Sequence, residues 1–171
     1  KASISFSYSR FREFFHLKPL TQIARIEVAT GEMEIIHFKS KDGTEVEGFV
    51  IKPPDFQAGK RYPTLLRIHG GPVSQYSTRF YADLQIFAGA GYVVVFANPR
   101  GSSGYGEDFS KAIWADWGNT DYEDVMAAVD HVIDLGYADP ERLGVGGWSY
   151  GGILTNYVIT KTDRFKAAIS G

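Results

Sequence analysis

Four short apolar, partly β-branched runs, at residues 64–69, 92–98, 142–148 and 166–170, constrain the fold of this 171-residue chain more than any other feature. A strand with one face in water alternates apolar and polar residues, whereas a strand covered on both faces is apolar throughout. These runs are short and mostly apolar without strict alternation, and helical-period segments separate the later ones. The pattern predicts an α/β fold in which a parallel sheet is joined by crossover helices.

Ahead of Pro63 the pattern is different. Residues 34–40 and 45–52 alternate around Lys41-Asp42-Gly43, with Val46, Gly48 and Val50 on one face and Phe49 and Ile51 on the other. This predicts an antiparallel hairpin that stops at Pro53-Pro54. Residues 3–11 (Ile4, Phe6, Tyr8) and 22–28 (Ile23, Ile26, Val28) alternate again before the turn-like Thr30-Gly31-Glu32. They are expected to form edge-type β structure of their own, so that residues 1–33 are a separate β segment and residues 34–171 the main domain.

The clearest helix signal is Thr120-Asp121-Tyr122-Glu123, a Thr-x-x-Glu capping box. The helix it opens places Tyr122, Val125, Met126, Val129, Val132 and Ile133 on one face and ends at Gly136. Asp124, Asp130 and Asp134 are expected on its solvated face. Further helices are predicted over residues 79–90 and 150–160.

Composition narrows the function. The chain has 18 basic and 20 acidic residues, interspersed, for a net charge of -2, which leaves no basic footprint for nucleic acid. Its apolar runs are too short to span a bilayer, and residues 1–20 lack the apolar core of a signal peptide. With no cysteine, thiol catalysis and cysteine metal sites are excluded. His16, His37, His69 and His131 offer no pair at metal-ligand spacing, and the glycines of residues 98–106 lack the spacing of a phosphate-binding loop. No metal and no cofactor is expected; oligomeric state and compartment stay open.

The chemistry is concentrated in Gly147-Trp148-Ser149-Tyr150-Gly151, a Gly-x-Ser-x-Gly sequence between an apolar run and a predicted helix. A serine hydroxyl becomes a useful nucleophile when it projects from a sharp strand-to-helix turn beside a general base, and flanking glycines leave room for that turn. Ser149 is the candidate nucleophile. The free N–H groups at the start of the following helix make the Tyr150 amide a candidate oxyanion donor.

His69-Gly70-Gly71-Pro72 follows another apolar run, where a glycine-rich loop can bring a second backbone amide close to a substrate oxygen; Gly71 is that candidate. His69 lies before the nucleophile and is assigned a role in orienting this loop, not that of general base. Arg100, in Asn98-Pro99-Arg100-Gly101, is expected to pair with a carboxylate such as Asp121 or Asp124. Asp116-Trp117-Gly118 closes the turn before the capped helix.

Taken in order, His69-Gly70-Gly71-Pro72, the stretch Asn98-Pro99-Arg100-Gly101-Ser102-Ser103-Gly104-Tyr105-Gly106, Asp116-Trp117-Gly118 and Gly147-Trp148-Ser149-Tyr150-Gly151-Gly152 resemble the prolyl oligopeptidase family of serine peptidases. The likeness runs over residues 35–171 and is greatest to the acylaminoacyl peptidase and dipeptidyl aminopeptidase branch. It implies an α/β-hydrolase fold, hydrolysis of short peptides through an acyl-enzyme on Ser149, and an oxyanion hole from the Tyr150 and Gly71 amides. It also implies that residues before Glu34 are the last strands of a β-propeller.

One departure matters. The family carries an Asp and then a His after the nucleophile, but no histidine follows Ser149 in this chain. Asp163 is too close behind Ser149 to be the acid. The chain starts at Lys1 and stops at Gly171, straight after an apolar run, so both ends are expected to be cut and the strand there to present an open sheet edge. The partner expected beyond a short peptide is the C-terminal remainder of the hydrolase domain. The rival readings are an esterase or lipase-like hydrolase, which the same motif serves, and a non-catalytic fragment or binding module.

Overall fold

The computed structural model describes residues 2–5, 25–28 and 30–171. Strands β1 (Ala2–Ser5) and β2 (Arg25–Val28) pair antiparallel with each other, Ala2 opposite Val28, in a two-stranded sheet of their own. The rest of the alternation read at residues 6–24 lies outside the described residues. Residues 30–32 carry no regular structure; Gln85 grips Gly31 by accepting its N–H at 2.8 Å, and the Lys52 N–H donates to the Glu32 carbonyl at 3.0 Å.

The main sheet has six strands: β3 (Met33–Lys39), β4 (Glu45–Ile51), β5 (Tyr62–Ile68), β6 (Val93–Ala97), β7 (Ala138–Gly147) and β8 (Phe165–Ser170), in the order β3-β4-β6-β5-β7-β8. The hairpin β3–β4 enters antiparallel, β4 pairs antiparallel with β6, and β6, β5, β7 and β8 run parallel. The sequence reading of a hairpin followed by parallel strands therefore matches the backbone.

Helix α1 (Ala82–Gly89) packs on one face of this sheet; α3 (Thr120–Asp134) and α4 (Tyr150–Lys161) pack on the other. The reason β6 reads as an unbroken apolar run is now visible. Val93, Val95 and Ala97 pack into the α3–α4 core while Val94 and Phe96 pack toward α1 with Phe49 and Ile51, and all five β6 side chains are at most 2% exposed. Burying side chains of this size contributes roughly 1.5–3 kcal/mol each.

Between β6 and α3 lies a single helical turn, α2 (Glu107–Lys111), which buries no side chain. Without an apolar face it leaves no periodic trace in the sequence. At the other side of the sheet β8 is an outer strand, and Lys166 to Ser170 are exposed.

Helix α3 corrects two sequence expectations. Val125, Met126, Val129 and Val132 are buried as the periodicity requires, but Asp124 is not solvated: it is fully buried, because Arg100 meets it from the loop after β6. The capping box does not form. Asn119 is the N-cap and makes no side-chain capping bond, the buried Thr120 hydroxyl has no partner, and Glu123 reaches instead to Lys41 at 3.1 Å. The helix start is satisfied from one residue further along, by Asp121, whose carboxylate accepts the Gly118 N–H at 2.8 and 3.1 Å and the Tyr122 N–H at 3.0 Å.

Candidate active site

Strand β7 ends at Gly147, and the chain turns into α4 through Trp148 and Ser149. Ser149 sits at φ 59° and ψ -125°, a left-handed backbone for a residue with a side chain. Such a conformation costs roughly 1–2 kcal/mol and persists only where surrounding structure imposes it. Here the packing of the two flanking glycines imposes it. A Cβ on Gly147 would lie 2.4 Å from the Gly151 carbonyl, and one on Gly151 would lie 2.3 Å from the Ile68 carbonyl oxygen. The backbone also ties the turn to β8, through Ser149 N–H to the Gly171 carbonyl at 2.7 Å and Gly171 N–H to the Gly147 carbonyl at 3.1 Å. Ser149 itself is exposed.

Tyr150 is the first residue of α4, so its N–H has no acceptor within the helix. The His69–Pro72 loop comes to the same place. A Cβ on Gly70 would fall 3.4 Å from Ser149 Cβ and 3.9 Å from its Oγ, and Gly71 follows at φ 133°, a conformation suited to glycine. The structure thus brings Gly70 against Ser149, 79 residues later in sequence, and with them the two segments that carry Ser149, Tyr150 and Gly71.

His69 is 7% exposed and fully engaged: Nδ1 donates to the Gly70 carbonyl at 2.7 Å and Nε2 meets the Ser102 hydroxyl at 3.0 Å. A carbonyl only accepts, so Nδ1 carries the proton. Burial pushes the imidazole below its usual range, against the Gly70 hydrogen bond. It is a brace that couples the glycine loop to the loop after β6.

That second loop is held by Asn98 and Arg100. Asn98 accepts the Tyr76 N–H at 2.7 Å and donates to the Tyr76 carbonyl and to Tyr105 Oη, at 3.0 and 2.7 Å, while Tyr105 donates to Glu47 at 2.5 Å. Arg100 grips Asp124 with its backbone N–H, Nε and Nη2, at 2.8, 3.0 and 2.7 Å, and Asp42 with Nη1 at 2.5 Å. Of the two carboxylates expected for Arg100, only Asp124 takes that part. Asp121 turns the other way and accepts the Tyr150 hydroxyl at 2.6 Å. Neither this bond nor the Arg100–Asp42 bond has a sequence signature, since the partners lie 29 and 58 residues apart with no shared periodicity.

Cavities open on both sides of the glycine loop. One, of about 410 Å³, is lined by Gly70, Gly71, Trp148, Tyr76, Arg67 and Arg79. The other, of about 610 Å³, is apolar and is lined by Pro72, Val73, Ile113, Trp114, Trp117 and Tyr157. Among the described residues no three His, Asp or Glu side chains cluster as metal ligands, and no helix is long and apolar enough to cross a membrane.

Comparison with known proteins agrees with this geometry. Residues 78–171 match the prolyl oligopeptidase family. The chain belongs to that family. Among relatives, an uncharacterized peptidase, YuxL, of Bacillus subtilis is 45% identical over 138 residues, covering 80% of this chain and 21% of the relative. Dipeptidyl-peptidase 5 of Schizosaccharomyces pombe is 37% identical over 130 residues, 73% of this chain and 19% of the relative. The solved acylaminoacyl peptidase of Pyrococcus horikoshii superposes with a TM-score of 0.77 at 39% identity, over 82% of this chain and 23% of that one. A puromycin-hydrolyzing peptidase of Mycobacterium tuberculosis does so with a TM-score of 0.75 at 34% identity, over 81% of this chain and 22% of that one. The fold is that of the family's α/β-hydrolase domain, and this prolyl oligopeptidase family chain spans about a fifth of the length of these relatives.

Proposed function

We propose that this chain supplies the nucleophile and oxyanion hole of a serine peptidase that hydrolyses short peptides. Ser149 Oγ attacks the scissile carbonyl, and the negative charge that develops on the carbonyl oxygen is received by the Tyr150 and Gly71 N–H groups. A His base takes the Ser149 proton and passes it to the leaving amine, and water then hydrolyses the acyl-enzyme on Ser149. The His and its Asp come from parts of the peptidase outside this chain, in keeping with the absence of histidine after Ser149.

The observation that carries the reading is the exposed Ser149 at φ 59°, at the head of α4, with the Gly70 backbone packed against it. A buried, relaxed serine in a glycine-rich turn would have needed neither the strain nor the close approach. The division at residue 33, with the preceding β segment as the end of a propeller, belongs to the same proposal.

The test is fluorophosphonate labelling of the full-length protein, read by denaturing mass spectrometry. Modification at Ser149, abolished by Ser149→Ala, is expected, together with hydrolysis of an aminoacyl anilide. Folded full-length protein that takes no label, or takes it on another serine, would overturn the assignment. Hydrolysis of simple aryl esters without the anilide would make it an esterase. The chain by itself is expected to be nearly inactive, because loss of any triad member removes several orders of magnitude of rate.

A further inference from the structure

Asp121 is fully buried, yet the groups that satisfy it are all N–H and O–H donors: the Gly118 and Tyr122 amides and the Tyr150 hydroxyl. Tyr150 is the one side chain that donates to it among the described residues. The Tyr150 ring is 1% exposed, and Trp117 meets it edge-on at 5.2 Å. Burial first, and the neighbouring Asp121 charge second, raise the phenol above its usual range, so the hydroxyl keeps its proton and donates.

The turn that presents Gly118 is anchored in turn on α4, where Lys161 donates to the Gly118 carbonyl and, at 3.1 Å, to Asn119 Oδ1. The first residue of α4 is therefore held at its backbone by the strained turn and at the far end of its ring by the start of α3. An anchor of this kind fixes the direction of the Tyr150 N–H, and with it the place where an oxyanion can be received. The main chain of Ser149, immediately before it, is constrained by the same clamp.

We propose that Asp121 is a positioning residue for acyl transfer, acting through the Tyr150 hydroxyl on the Tyr150 amide. This rests on the peptidase reading of Ser149. Because misplacement of a catalytic group by about 1 Å can lower a rate by about 100-fold, loosening this clamp lowers kcat more than substrate binding.

The experiment compares the full-length wild-type protein with Tyr150→Phe, Asp121→Ala and the double variant, all assayed below their unfolding midpoints. Val129→Ala, which trims the α3 core away from the site, serves as the destabilised control. For Tyr150→Phe, kcat is expected to fall about 10-fold at unchanged KM. A peptidyl boronate, which forms a tetrahedral adduct on the serine, should weaken by the same factor, while product-peptide affinity stays constant. The double variant should be no slower than the slower single, since both remove one linkage. Val129→Ala should lower the unfolding midpoint and leave kcat alone.

Folded Tyr150→Phe and Asp121→Ala proteins with wild-type kcat and boronate affinity would overturn the inference, as would equal losses in boronate and product binding. Should Tyr150→Phe fail to fold, Asp121→Ala decides the matter, because it takes the acceptor from the Tyr150 hydroxyl and leaves the ring in place. Wild-type protein that is not labelled at Ser149 would remove the peptidase reading, and this inference with it; labelled wild-type with indifferent variants removes the inference alone.

Discussion

Removal of the Asp124 carboxylate is the perturbation that most directly tests how the loop after β6 is held. In Asp124→Ala, Arg100 loses acceptors at 2.7, 2.8 and 3.0 Å and keeps only the half-exposed Asp42 at 2.5 Å, Ser40 Oγ at 3.3 Å and the Thr120 carbonyl at 3.5 Å. The Arg100 side chain is 10% exposed and that of Asp124 0%, so the pair belongs with buried ion pairs. Breaking one side of such a pair costs about 3–5 kcal/mol, because a charge stays behind without its partner. The remaining bonds to Asp42 place the expected loss near the lower end, about 3 kcal/mol. With an m-value of about 2 kcal/mol per molar urea, the midpoint falls by about 1.5 M, which tryptophan fluorescence would follow. Arg100→Met with Asp124→Leu should lose much less than Asp124→Ala, since an apolar pair leaves no orphaned charge. A midpoint shift below about 0.5 M for Asp124→Ala, at unchanged m, would refute the reasoning.

Gly147→Ala drives a methyl group into the Gly151 carbonyl at 2.4 Å and the Ile68 carbonyl oxygen at 2.7 Å, neither of which can move aside. It should destabilise the fold by about 1–3 kcal/mol and abolish fluorophosphonate labelling, both measured on the same preparation. Ser149→Gly relieves the backbone at φ 59° and is expected to raise stability by about 1 kcal/mol by urea titration while removing all labelling. Asp42 gives a pH dependence. Hydrogen bonds from Thr44, then from Arg100, hold its carboxyl at about 2 against an ordinary 3.8, so the folded state favours the ionised form. The stability Asp42 contributes is therefore fully present above about pH 4 and is lost as pH falls through about 2. The midpoint difference between wild type and Asp42→Asn should shrink over that window, and a constant difference would contradict the assignment.

The residues that sequence alone read correctly share one property: their signal is local. The β6 run, the 3.6-residue spacing of Val125, Val129 and Val132, and Gly147 and Gly151 around Ser149 each declare themselves within a dozen positions. Local patterns of that kind reflect backbone geometry, in which side chains repeat at two or 3.6 residues whatever surrounds them. Glycines next to a serine likewise state where the backbone must pass close by, and this is what makes Ser149 a candidate nucleophile.

Asp124 and Asp121 show where such reading ends. By periodicity Asp124 lies on the polar face of α3; it is buried because Arg100, 24 residues earlier, crosses the fold to meet it. Thr120 and Glu123 spell a capping box, yet Asp121 satisfies the turn and Glu123 serves Lys41, 82 residues away. The strand order β3-β4-β6-β5-β7-β8 and the left-handed backbone of Ser149 are of the same kind. Sequence determined the strands of the main sheet, three of its helices and which residues are candidates for the chemistry, because those depend on neighbours along the chain. Only the tertiary structure decided which charges are buried together and which carboxylate the Tyr150 hydroxyl meets, because a buried polar group takes its partner from whatever packing brings within about 3 Å.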